Sequence, residues 1–136
     1  MGLIKILLNE NDSSSYYERE EIERTISELN LTISASELID KFKKAPDVKI
    51  PPSILQRLEN TDYNEVESED DIKGLLKQYG RDSNNINKIK KELESNKSYP
   101  PLILNYNHKY YLVAGNTRLM VMKVLNIKPI VKLIYI

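Results

Sequence analysis

The sequence predicts an α+β fold in which a largely helical N-terminal portion precedes a strand-rich end. Five segments in the first part of the chain carry apolar residues at helical spacing. Residues 100–136 change to short runs rich in β-branched and aromatic side chains. With 136 residues, 40% hydrophobic and 29% charged, the chain has the length and composition of one globular domain with room for a terminal extension.

The N-terminal portion, residues 1–80, is acidic and is predicted to be mostly helical. Its first element is an opening strand at 3–8, where nearly all residues are apolar. A charged helix with one narrow apolar stripe follows, and the Ser-x-x-Glu sequence at Ser34 then has the form of a capping box for a second helix. Pro51-Pro52 introduces a short third helix that carries Leu58 on its apolar face.

A loop at about 60–70 separates these helices from the next two. The loop is rich in acidic residues and has few apolar anchors, which is typical of a linker or a long surface loop. Ser68 and Asp71 then have a capping arrangement, and Gly80 closes the helix that follows. The next helix starts at Asn84-Asn85 and presents lysines to water.

Residues 84–136 are predicted to form a domain of their own. Two β-rich runs, Leu102–Leu104 and Tyr110–Val113, are separated by a polar turn and predict a β-hairpin. Gly115 interrupts the second run. A helix and a closing strand come next, at Thr117–Leu125 and Ile130–Ile136.

The residue inventory excludes several function classes. The chain has no cysteine, which removes disulfides, thiol catalysis and thiolate metal sites, and its single histidine removes a His-rich metal site, so no metal centre is expected. No apolar run approaches the ~18 residues of a membrane span. The start of the chain does not have the pattern of a secretory signal. A cytoplasmic location and no membrane partner are therefore expected.

The neutral net charge hides an asymmetry along the chain. Residues 1–70 contain 8 basic and 16 acidic side chains, whereas residues 71–136 contain 12 basic and 4 acidic ones. One interpretation is an acidic segment beside an anion-binding domain. The other is two solvated faces that attract each other within one fold. No run of basic residues exceeds two, which disfavours a dedicated nucleic-acid arm.

The candidate binding residues are Gly115, Asn116, Thr117 and Arg118, where a predicted strand meets a predicted helix. The first turn of a helix has N–H groups without intrahelical partners, and the helix dipole adds positive potential there. Gly115 permits a tight turn, Asn116 and Thr117 add short polar groups, and Arg118 offers a charged fork for phosphate oxygens. The alternative is that Asn116 or Thr117 only caps the helix and Arg118 pairs with a surface carboxylate. Lys123, further along the helix, is expected to be a surface cation without a role in binding.

The order of these elements resembles the ParB/sulfiredoxin-like superfamily over residues 84–136. In that family a helix leads to a Pro-Pro-hydrophobic strand, a hairpin, a Gly-x-x-Arg turn, a helix and a closing strand. The corresponding segments here are Pro100–Leu104, Lys109–Leu119 and Lys128–Val131. The resemblance implies a small mixed sheet with helices, whose Gly-x-x-Arg helix start holds nucleotide phosphates.

The resemblance carries over to single residues only in part. Gly115 matches the motif glycine and Arg118 the phosphate-facing arginine. Asn116 stands where sulfiredoxin has its catalytic cysteine and ParB an acidic residue, and Thr117 stands where arginine or histidine is frequent. Without cysteine, sulfinic acid reduction is excluded. No catalytic residue is therefore assigned.

Three functions follow as expectations. The first is a ParB-like domain that binds a nucleotide or another phosphorylated small molecule, a nucleoside triphosphate with Mg²⁺ being the implied cofactor, with weak nucleotide phosphatase or kinase activity. The second is a nucleic-acid-associated, nuclease-type protein with DNA as its partner. The third is a non-catalytic interaction module on the same fold, which the departures at Asn116 and Thr117 favour over a competent enzyme.

Overall fold

The computed structural model describes residues 19–95 and 99–136, and it confirms the α+β class. The predicted strand at 3–8 lies outside these residues. The helices are α1 (19–29), α2 (Ala35–Lys44), α3 (Pro52–Gln56), α4 (Glu69–Gln78), α5 (Asn85–Glu94) and α6 (Asn116–Val124), and a 3-10 turn covers Tyr63–Glu65. The strands are β1 (Asp47–Lys49), β2 (Leu58–Glu59), β3 (Leu102–Tyr106), β4 (Lys109–Ala114) and β5 (Ile130–Tyr135).

The chain divides into two units, Met1–Lys44 and Ala45–Ile136. The first unit contains α1 and α2, whose side chains Ile22, Leu38 and Phe42 are buried. The Ser34 hydroxyl accepts a hydrogen bond from the backbone N–H of Glu37 at 3.2 Å, so Ser34 caps α2 as its spacing predicts. The second unit begins well before residue 84 and contains the whole sheet.

The sheet has five strands in the order β1-β5-β3-β4-β2. The predicted hairpin is present as the antiparallel pair of β3 and β4, and its turn places Asn107 and His108 at φ values of 52° and 64°. The predicted closing strand β5 lies parallel to β3, so α6 connects the hairpin to the opposite side of its first strand. The strand β3 is consequently the centre of the sheet.

The two edge strands correct the sequence interpretation of residues 45–60. β1 pairs antiparallel with β5, and Leu58, expected on the third helix, lies in β2, which pairs parallel with β4. The helix α3 ends at Gln56. Strands of two or three residues are stabilised by their partners rather than by their own propensity. The helical spacing of Leu58 therefore gave the wrong prediction for this residue.

Two buried clusters share the helix α6. The sheet cluster packs one face of the sheet against α3 and α6, and Leu119 is its contribution from α6. The helix cluster joins α4, α5 and α6 through residues that include Met120 and Val121. Because Leu119, Met120, Val121 and Met122 are all buried, α6 is held on more than one face. The middle of this helix is therefore packed into both clusters.

The acidic loop before α4 runs along the surface and is anchored by one buried side chain. Val66 is fully buried in the helix cluster, and Ser68 and Asp71 form the predicted capping box at the start of α4. Backbone N–H groups of Glu67 and Ser68 donate to the Asp71 carboxylate and lower its pKa. None of the helices in the described parts of the chain is long and apolar enough to cross a membrane.

Candidate functional site

The predicted site residues lie together at the junction of β4 and α6, where Gly115 has two structural reasons to be glycine. Its φ of +98° lies in the left-handed region, which L side chains rarely adopt. A Cβ atom at this position would lie 2.7 Å from the Cα and Cβ atoms of Pro101. The space beside this glycine is thus filled by Pro101, whose carbonyl also accepts a hydrogen bond from the Lys132 N–H at 2.9 Å.

The helix α6 begins without a side-chain cap. Its N-cap residue is Gly115, so the N–H groups of the first turn have no side-chain acceptor at that position. The Gly115 carbonyl accepts the N–H of Leu119 at 2.9 Å, which starts the regular helical pattern. The first turn therefore presents donors and positive dipole potential at the end of the sheet.

Arg118 is partly exposed in this first turn. Its Nη1 donates to the Tyr99 carbonyl at 3.1 Å, and its guanidinium carbon lies 5.8 Å from the centre of the Tyr99 ring. Among the residues the structure describes, Arg118 forms no salt bridge, in contrast to the surface carboxylate pairing considered from the sequence. A cation at the positive end of a helix is unfavourable, and a bound anion would relieve that repulsion.

Asn116 connects the helix start to the loop before α4. Its Oδ1 accepts hydrogen bonds from the Thr61 hydroxyl at 2.9 Å and from the Asp62 N–H at 3.1 Å. Its Nδ2 donates to Asp62 Oδ2 at 2.9 Å. The amide is therefore engaged within the protein, as a link between segments 54 residues apart. Thr117, the fourth predicted residue, is half-buried beside it.

Asp62 places a carboxylate at the first turn of α6, and sequence reasoning missed this contact. The same Oδ2 atom that accepts from Asn116 also accepts from the Tyr79 hydroxyl at 2.9 Å. That hydrogen bond raises the pKa of Tyr79. The dense run of turn-forming residues Asn60-Thr61-Asp62 was the available signal, although nothing in it identifies the distant partner.

Lys123 is not the free surface cation that the sequence analysis expected. Its Nζ donates to the Tyr63 carbonyl at 2.9 Å and lies 5.0 Å from the centre of the Tyr63 ring. Burial raises the pKa of the Tyr63 hydroxyl. Lys123 and Asn116 thus attach the same loop to α6, one toward each end of the helix.

Asn60 fixes the position of this loop against the sheet. It has a φ of 51°, and its side-chain amide forms two hydrogen bonds with the backbone of Leu112, at 2.9 and 3.0 Å. The side chain thereby continues the pairing of β2 with β4 by one residue after the backbone turns away. Asp62 is consequently held at a defined place beside α6.

Within residues 19–95 and 99–136, no three His, Asp or Glu side chains are grouped so that they would hold a metal ion. No family model, no curated protein and no solved structure matches the chain.

Proposed function

We propose that the protein binds a phosphorylated small molecule at the start of α6, and that nucleotides are the leading class of ligand. The observation that carries the proposal is the helix start itself, which has no side-chain cap and has Arg118 in its first turn without a carboxylate partner in the described chain. Backbone donors, a helix dipole and an arginine fork together match the geometry and charge of phosphate oxygens.

The surrounding packing supports binding by a preorganised site. Four consecutive buried side chains hold α6 in place, and the contact of Gly115 with Pro101 sets the direction in which the helix leaves the sheet. Tyr99 keeps the Arg118 guanidinium near the first turn through its carbonyl and its ring. A ligand would then bind without the cost of ordering the backbone of the helix start.

The proposal contains no catalytic step. Asn116 occupies the position where the resembled families have a reactive or acidic residue, but its amide is engaged by Thr61 and Asp62. An amide held in this way has no titratable proton to transfer and no nucleophile to offer. Binding without turnover is therefore the function that the geometry supports best.

The main test is isothermal titration calorimetry with nucleoside mono-, di- and triphosphates, with and without Mg²⁺. We expect saturable binding that Arg118→Ala weakens by roughly tenfold or more, because a charge-assisted hydrogen bond contributes about 1.5–3 kcal/mol. Lys128→Ala is the matched control, since Lys128 is an exposed cation beyond the end of α6. Equal affinities in the two variants would remove the proposed site.

Asp62 provides a second arm of the same experiment. In Asp62→Asn, the amide oxygen can accept both hydrogen bonds that Oδ2 now accepts, while the negative charge at the helix start is lost. Affinity for a phosphate anion should rise if the anion binds at the start of α6. Binding of duplex DNA that falls steeply with salt, and that Arg118→Ala leaves unchanged, would instead favour the nucleic-acid alternative.

A further inference from the structure

A concave surface, here called the hairpin cavity, lies at the opposite end of β4 from Gly115. Its volume is about 340 Å³, and residues from the end of α3, the edge strand β2 and the β3–β4 turn line it. From Tyr110 to Gly115 the strand rises by about 17 Å, so the cavity is separate from the start of α6. The lining includes Gln56, Arg57, Glu59, His108, Lys109 and Tyr110.

Arg57 is held in a defined orientation within this cavity. Its guanidinium carbon lies 5.3 Å from the centre of the Tyr110 ring, which is a cation–π contact. Tyr110 in turn shares a hydrogen bond with the Tyr135 hydroxyl, and this bond raises the pKa of Tyr135. A guanidinium that stacks on an aromatic ring keeps the N–H groups at its edge available to a bidentate acceptor.

The charges around the cavity are left without internal partners. In the part of the chain that the structure describes, Arg57, Lys109 and Glu59 form no salt bridge, although all three line the same cavity. The lining therefore carries two basic side chains and one carboxylate, with His108 as a further hydrogen-bond donor. The excess of positive charge favours an anionic occupant.

We propose that the hairpin cavity is a second anion site, which takes a phosphate monoester of a small organic molecule. Arg57 supplies the planar fork for two phosphate oxygens, and Lys109 supplies a point charge. The cavity volume of about 340 Å³ leaves room for a small organic group beside the phosphate, and the Tyr110 ring offers that group an aromatic face. This site is independent of the function proposed for α6, because it shares no side chain with it.

The test is a titration followed by ¹H–¹⁵N NMR at constant ionic strength, with phenyl phosphate, inorganic phosphate and phenol as probes. We expect phenyl phosphate to shift the amide signals of residues 56–59 and 108–110, inorganic phosphate to bind there more weakly, and phenol to leave them unchanged. Shifts of equal size at cations throughout the chain would overturn the proposal.

Variants of the cavity give the second readout. Arg57→Gln should raise the dissociation constant for phenyl phosphate about fivefold, a value reduced for the exposure of the site. Glu59→Gln should lower this dissociation constant, because the substitution removes the only carboxylate of the lining. Lys128→Gln, which removes an exposed cation outside the cavity, should leave the dissociation constant measured at residues 56–59 and 108–110 unchanged. If Arg57→Gln does not fold, Lys109→Gln tests the other basic side chain of the lining, at the start of β4.

The proposed site would be overturned if Arg57→Gln bound phenyl phosphate with the same dissociation constant as Lys128→Gln. The same holds for Lys109→Gln where it replaces Arg57→Gln. Because Arg118→Ala reports only on the start of α6, failure at one end of β4 is distinguishable from failure at the other.

Discussion

The two ends of β4 differ in how the protein uses its polar side chains. At the Gly115 end, Pro101 fills the space beside the glycine, and the loop before α4 engages the amide of Asn116. At the hairpin end, Arg57 and Lys109 line a cavity without carboxylate partners in the described chain. The Gly-x-x-Arg motif, conspicuous in the sequence, is thus engaged by contacts within the protein, whereas the charges at the hairpin end are brought together only by the fold.

The largest expected effect tests whether Gly115 is primarily structural. Gly115→Ala should lower the free energy of unfolding by about 3 kcal/mol, because a Cβ is strained at this φ and overlaps Pro101. Gly74→Ala is the control, since a Cβ there meets nothing within 4 Å and alanine favours the helix α4. Urea denaturation measures both. A Gly115→Ala protein as stable as the wild type would contradict a structural role for Gly115, and the glycine could then serve a ligand instead.

Asn116→Ala tests the link between α6 and the loop before α4. We expect a loss of about 1–3 kcal/mol in the free energy of unfolding, because the Thr61 hydroxyl and the Asp62 N–H lose their acceptor. Asn87→Ala, at an exposed position in the first turn of α5, should change stability little. Unchanged urea midpoints for both variants would show that Asn116 is free to serve a ligand.

The pH dependence of stability tests the cap that holds the same loop. The pKa of Asp71 is lower in the folded protein than its ordinary 3.8, because backbone N–H groups of Glu67 and Ser68 donate to the carboxylate. A carboxylate with a lowered folded pKa stabilises the fold above its unfolded pKa, and this contribution is lost as the pH falls through the folded pKa.

Asp71→Asn should therefore be less stable than the wild type at neutral pH, and the difference should shrink as the pH falls below 3.8. Thermal unfolding across this range measures it. A difference that is independent of pH would contradict the assignment.

The smallest expected effect concerns the turn between β3 and β4, at the hairpin end of β4. His108 has a φ of 64° in the turn, a conformation that glycine adopts without strain. His108→Gly should raise the free energy of unfolding by about 0.5–1 kcal/mol, and Asn107→Gly by less, because asparagine tolerates a positive φ. Differential scanning calorimetry of the two variants measures the difference in their stability. Destabilisation by His108→Gly would mean that the histidine makes a structural contact.

The parts of the fold that local sequence determines were predicted, and the parts that depend on distant partners were not. The hairpin, α6, β5 and the Ser68 cap follow from neighbouring residues, and all of them are present. Leu58 has the spacing of a helical residue, and only its pairing with the distant strand β4 makes it a strand residue. The sequence therefore predicts a helix there. The four residues from Gly115 to Arg118 were located correctly as a strand–helix junction, but the contact of Asn116 with Asp62 depends on topology.

The burial of α6 on several faces has a consequence for how the second unit opens. A helix that contributes to both the sheet cluster and the helix cluster cannot detach from one without exposing residues of the other. We therefore expect its backbone amides to exchange with solvent deuterium through global unfolding of residues 45–136 rather than through local fraying. The slowest-exchanging amides of the unit should accordingly be those at the centre of this helix, around Met120.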